Sequence, residues 1–163
     1  MGSAFTTQYN NISNKLINEV EVFYKGKSVK CKALWDTGAT DCCVSQDVVR
    51  QLSLISTGKA NITTPNQTSE RDTYLVDVSL PNNVRVNDLC VIDSNIEKQN
   101  IGMLIGMNII NLGDFTVSNF QDKTTFAFRI PSESITDYAK QIKISNIIGT
   151  PHKKGKRKYK KAK

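Results

Sequence analysis

Apolar side chains recur at every second position in several separate stretches of this chain, and that period of two restricts it to a largely β fold. Val20, Val22 and Tyr24 alternate with polar neighbours, Lys25-Gly26-Lys27 turns the chain, and Val29, Cys31 and Ala33 alternate again, as in a β-hairpin. Tyr74, Val76, Val78 and Leu80 repeat the pattern ahead of a Pro81-Asn82-Asn83 turn and a strand-like run from Val84 to Ile92. With β structure from about Asn61 and the turn-rich Thr63-Thr64-Pro65-Asn66-Gln67-Thr68 between, this region reads as a long hairpin with a polar tip. Phe115 and Val117, then Thr124, Phe126, Phe128 and Ile130, carry the last two strands.

Only short helices interrupt the strands. Ser45 is placed to cap a helix over Gln46 to Leu52. The run from Ile101 to Ile110 reads as a buried strand that breaks at Gly106 and enters a short helix closed near Gly113, with Met103 and Met107 in the core. The 163 residues fit one domain, expected over 16–131, mainly β with one or two short helices. Residues 1–15, rich in Asn, Ser and Thr, are expected to form a flexible lead-in. Residues 132–151 read as an extension with a short amphipathic helix around Ile135 to Ile142, and 152–163 as a basic, disordered tail.

That tail dominates the charge. All 15 acids precede His152, whereas eight of the 22 basic residues follow it, so residues 1–151 carry a net charge of −1 although the whole chain carries +7. The high pI therefore says nothing about what the folded body binds. Residues 152–163 could contact nucleic acid weakly through phosphates, or could simply solvate the chain end. The opening MGSAFTTQYNN lacks the features of a secretory signal, and no apolar run approaches the roughly 18 residues of a membrane span. A cytoplasmic protein with no membrane partner is expected. Sequons at Asn11, Asn61 and Asn66 then carry no meaning, and Met1-Gly2 with Thr6 fits only a loose acylation pattern. Cys31, Cys42, Cys43 and Cys90 form no C-x-x-C pair and the single histidine lies in the tail, so thiols are expected rather than a zinc site or a disulfide framework. Cys42 and Cys43 fall on opposite faces of one strand.

Chemistry concentrates where the first hairpin ends, at Asp36-Thr37-Gly38-Ala39. An Asp on a tight turn is presented at the surface of a rigid core, the Thr hydroxyl donates and accepts locally, and Gly and Ala admit another backbone. One carboxylate alone is a poor peptidase, whereas two that face each other share one proton. One then acts as base on a bound water while the other polarises the carbonyl. No second Asp-Thr/Ser-Gly exists, because Asp72-Thr73 continues into Tyr74 and Asp93-Ser94 into Asn95. The partner must come from another copy, as a two-fold dimer supplies near its axis.

Ala33-Leu34-Trp35-Asp36-Thr37-Gly38-Ala39-Thr40, paired with Leu104-Ile105-Gly106-Met107-Asn108-Ile109-Ile110, resembles the retropepsin-like aspartic proteases over about residues 17–131, nearer to the cellular and bacterial members than to the viral ones. The resemblance implies a small closed β-barrel-like fold that is active as a homodimer and hydrolyses peptide bonds in a peptide or protein substrate, without metal or cofactor. Asp36 would be the catalytic acid/base and Thr37 would brace the dyad across the dimer axis. Gly38 would line the site with its backbone and Ala39 would leave room for substrate. The tip around Thr64, Pro65, Asn66, Gln67 and Thr68 would be the flap over the substrate, and Leu104, Ile105 and Gly106 would pack beneath the catalytic loop.

Three departures stand out. Viral members often follow the Ala with two acids that hold the substrate main chain; here the pair is Thr40-Asp41, which leaves Asp41 for part of that role. No glycine occurs between Lys59 and Ile101, so Pro65-Asn66 must supply the flap turn. Trp35 is bulkier than the usual aliphatic and either reshapes the site floor or fills core. A fold can also outlive its activity, so the alternative is a catalytically inactive dimerisation and peptide-binding module with a basic nucleic-acid-binding tail.

Overall fold

A computed structural model describes residues 2–64 and 67–148. Residues up to Glu133 form one compact unit and the described residues from Ser134 a second. In the first, the predicted hairpin is formed by β2 (Leu16–Tyr24) and β3 (Lys27–Trp35). Lys25 and Gly26 both take positive φ, 46° and 78°, the two-residue turn whose twist matches that of paired strands.

Six strands close into a barrel. β3 pairs in parallel with β8 (Met103–Ile105), β8 antiparallel with β4 (Cys42–Ser45), and β4 in parallel with β7 (Arg85–Ser94). β7 pairs with β6 (Gln67–Ser79), and β6 returns to β2 through Glu21↔Ser79, Val22↔Val78 and Phe23↔Asp77. β5 (Gly58–Thr64) lies on the outer edge of β6 and completes the long hairpin. The alternating residues read from the sequence fill the interior: Val20, Val22, Ala33, Val76, Val78, Val91, Met103 and Ile105 are buried. α1 (Gln46–Leu52) starts at Ser45, whose hydroxyl accepts from the Val48 N–H, and buries Val48 and Leu52 against the barrel. α2 (Met107–Ile110) follows Gly106 directly.

The lead-in departs from expectation. Ser3–Gln8 is a strand, β1, and pairs over its whole length with β10 (Thr125–Ile130), which also pairs with β9 (Asp114–Ser118). Phe5 is the reason: its ring sits 5.9 Å from Trp35, 5.5 Å from Phe126 and 6.2 Å from Phe128. Beyond β1 the chain stays fastened. The Tyr9 hydroxyl accepts from Ile17 N–H at 2.8 Å and Ser13 N–H donates to Thr124 Oγ1 at 2.9 Å. Trp35 fills core, packing on Phe115, Phe126 and Phe128 with ring centres 5.0–5.9 Å apart and donating its indole N–H to Asn18 at 3.0 Å.

In the second unit, α3 runs Tyr138–Ile148, beginning and ending later than the expected helix around Ile135 to Ile142. Asp137 sets the start, because its carboxylate accepts from Lys140 N–H at 2.9 Å. Two α-helices, α1 and α2, thus lie in the barrel unit and α3 in the extension, as expected. The expected basic tail, residues 152–163, lies outside the described residues. No helix among them is long and apolar enough to cross a membrane.

Candidate active site

β3 delivers Asp36 to the end of the barrel, and β8 fixes its backbone: Asp36 N–H donates to Ile105 carbonyl at 2.9 Å. The Asp36 carboxylate is half-buried and accepts the Gly38 N–H at 2.8 Å, a local turn that orients it. Ala39 N–H reaches back to the Asp36 carbonyl at 3.3 Å. Thr37, Gly38, Thr40 and Asp41 are exposed and Ala39 is half-buried.

The loop is clamped from below by the second motif. The Ala39 and Thr40 carbonyls accept from Met107 and Asn108 N–H at 2.8 and 3.1 Å. Gly106 is obligatory there, since a Cβ would lie 2.5 Å from the Asp41 carbonyl oxygen and 2.8 Å from that of Ala39. Leu104 and Ile105 pair with Leu34 and Trp35, the two residues ahead of Asp36. Sequence reasoning missed Asn108. Its Oδ1 accepts from Cys42 N–H at 3.0 Å and from the Cys42 thiol at 2.8 Å, and its Nδ2 donates to the Cys90 carbonyl at 3.3 Å. One amide thereby joins the start of β4 and the face of β7 to α2; the signal was a lone amide between Met107 and Ile109-Ile110.

A cleft of about 200 Å³ opens between this loop and the first strand of the long hairpin, lined by Gly38 to Asp41, Cys43 and Ile92 on one side and Asn61, Ile62 and Thr63 on the other. Ala39, Thr40 and Asp41 therefore gather at one cleft. Thr64 and Gln67 pair at the hairpin end, and Pro65 and Asn66 lie outside the described residues. Two larger clefts, about 330 and 370 Å³, open elsewhere and include none of the Asp36-Thr37-Gly38-Ala39 residues. The smaller cleft borders the Asp36 loop through Gly38 and Ala39, while Asp36 and Thr37 themselves do not line it.

The two thiols next to the loop, Cys42 and Cys43, are held protonated. Burial pushes Cys42 up to about 12 and Cys43 up to about 11, and the carboxylates of Asp41, Asp93 and Asp36 add to the shift at Cys43. Cys42 instead faces inward and takes the Gly106 N–H on its sulfur at 3.3 Å, while Cys43 faces the cleft. Among the described residues no group of three or more His, Cys, Asp or Glu could hold a metal.

In structure the chain is similar to a retropepsin-like aspartic protease from Rickettsia conorii, with a TM-score of 0.51 and 15% identity over 80% of this chain and 96% of that one. It is also similar to the EIAV protease in an inhibitor complex (TM-score 0.47, 15% identity, 63% of this chain and 89% of that one). The retroviral protease-like domain of Ddi1 from Leishmania major follows (TM-score 0.40, 13% identity, 72% and 96%). The Rickettsia likeness shows the retropepsin fold. In sequence, the aspartyl protease family model matches residues 19–109, more than half of the chain. The chain belongs to the aspartyl protease family. No curated protein matches it in sequence.

Proposed function

We propose that this protein is an aspartic endopeptidase that works as a homodimer, each copy contributing one Asp36. The observation that carries the reading is the placement of that carboxylate: half-exposed at a barrel end, on a loop fixed by Ile105, Met107 and Asn108, beside a cleft walled by β5. The chain has one such motif, so the second carboxylate is the partner's Asp36.

In the proposed reaction one Asp36 takes a proton from a water whose oxygen attacks the scissile carbonyl carbon. The protonated carboxyl of the other copy gives its proton to the carbonyl oxygen. The C–N bond then breaks as the newly protonated Asp36 gives its proton to the amide nitrogen and a hydroxyl of the tetrahedral intermediate returns its proton to the other Asp36, which leaves the pair with one shared proton. Thr37 braces the pair across the axis and the Gly38 backbone lines the site. An extended peptide lies between Ala39-Thr40-Asp41 and the flap of Thr64, Pro65, Asn66 and Gln67, pairing in β-strand fashion. The four free thiols support a reducing, cytoplasmic setting.

The test is a cleavage profile by mass spectrometry on a denatured proteome digest, from acid to neutral pH. Asp36→Asn should lower cleavage by on the order of 10²–10⁴-fold with its circular dichroism unchanged. Equal cleavage by both proteins would remove Asp36 from the chemistry. Absence of cleavage by the wild type would favour the non-catalytic module.

A further inference from the structure

The cleft beside the Asp36 loop lies wholly within the barrel unit, and the residues that line it fall into two chemical groups. One is apolar: Cys43 and Ile62 are half-buried and Ile92 is only 8% exposed. The other is a carboxylate at the rim. Asp41 is exposed, and the ion pairs among the described residues use Asp47, Glu70, Asp77, Asp114 and Glu133, which leaves Asp41 without a cation. The charged groups that act on the Cys43 thiol are Asp41, Asp93 and Asp36, with no cation among them, so the cleft sits in a negative field. At about 200 Å³ it falls below the roughly 300–1,000 Å³ of a small-molecule site. That space suits one side chain of a bound peptide.

We infer that this cleft is a specificity subsite for a lysine or arginine side chain of the substrate, with Asp41 pairing its cationic head. The inference rests on the proposed function, which lays an extended peptide along Ala39-Thr40-Asp41, and it goes beyond the main-chain role that the family resemblance implies for Asp41. A long basic side chain matches both groups of lining residues at once. Its methylene stem covers Cys43, Ile62 and Ile92, while its head stays at the wet rim where the free carboxylate lies. A leucine side chain would use the apolar residues and leave Asp41 unpaired. A glutamate would meet like charge, so the same carboxylate that selects a base rejects an acid.

The test gives the full chain a peptide series in which each position in turn is Arg, Lys, Leu or Glu. Wild type should show one position at which Arg or Lys exceeds Glu by at least roughly tenfold in kcat/KM and also exceeds Leu. Asp41→Asn should flatten that preference and Asp41→Lys should turn it toward Glu, with the preferences at other positions unchanged. Circular dichroism serves as the folding control. Binding of the same peptides to Asp36→Asn protein, followed by fluorescence polarisation with and without Asp41→Lys, gives a readout that needs no catalysis. If wild type cleaves nothing, the endopeptidase reading fails, whereas a basic preference in binding that Asp41→Lys reverses still sustains the subsite. Leu preferred over Arg and Lys at every position overturns the inference. So does a basic preference that Asp41→Lys leaves intact. A protein that neither cleaves nor binds any of the peptides overturns both readings.

Discussion

Gly106 and Asn108 show how little freedom the Asp36 loop has. A methyl group at 106 would press on two backbone carbonyls, those of Asp41 and Ala39, and neither can rotate away as a side chain could. Gly106→Ala should therefore lower stability by about 1–3 kcal/mol in urea unfolding, and any folded fraction should cleave poorly because the loop has moved. Asn108→Ala leaves the Cys42 N–H without its acceptor. We expect a loss of about 1–3 kcal/mol, and a larger fall in peptide cleavage than Asn108→Asp, which keeps the accepting oxygens. Asp36, Thr37, Gly38 and Gly106 were legible in the sequence because each breaks an apolar run in a way only a turn or a close approach explains. Asn108 was not, since an amide inside a short helix reads equally well as a surface residue until its partners across β4 and β7 are known.

At the scale of elements, the hairpins were legible because period-two alternation and local turn chemistry fix them, and α1 because Ser45 announces it. β1 was hidden: within Ser3–Gln8 only Phe5 is large and apolar, and its partner strand lies at the far end of the unit. The aromatic cluster that holds β1, β9 and β10 against Trp35 makes a direct prediction. Phe126→Ala, at a fully buried position, should cost about 3–5 kcal/mol in urea unfolding. The β9–β10 hairpin carries its own pH dependence. Hydrogen bonds from the Ser132 hydroxyl, the Arg129 guanidinium and the Glu133 N–H pull Asp114 from its usual 3.8 down to about 2. A carboxylate so depressed contributes stability above the unfolded value near 3.8 and loses it as pH falls through about 2. Wild type should thus exceed Asp114→Asn in thermal stability at pH 6, and the gap should close between about pH 4 and 2; a gap independent of pH would contradict the assignment.

For the whole molecule, one barrel carries one Asp36 loop, and the chemistry we propose needs two. That requirement ties activity to self-association: specific activity should fall on dilution through the dimer dissociation range. The most direct measurement uses heterodimers, purified through two different tags, in which one copy is wild type and the other carries Asp36→Asn. Both carboxylates belonging to one reaction predicts that the heterodimer is as inactive as the doubly substituted dimer, while remaining dimeric by sedimentation. Half of the wild-type activity would mean that each copy works alone, and would contradict the shared pair.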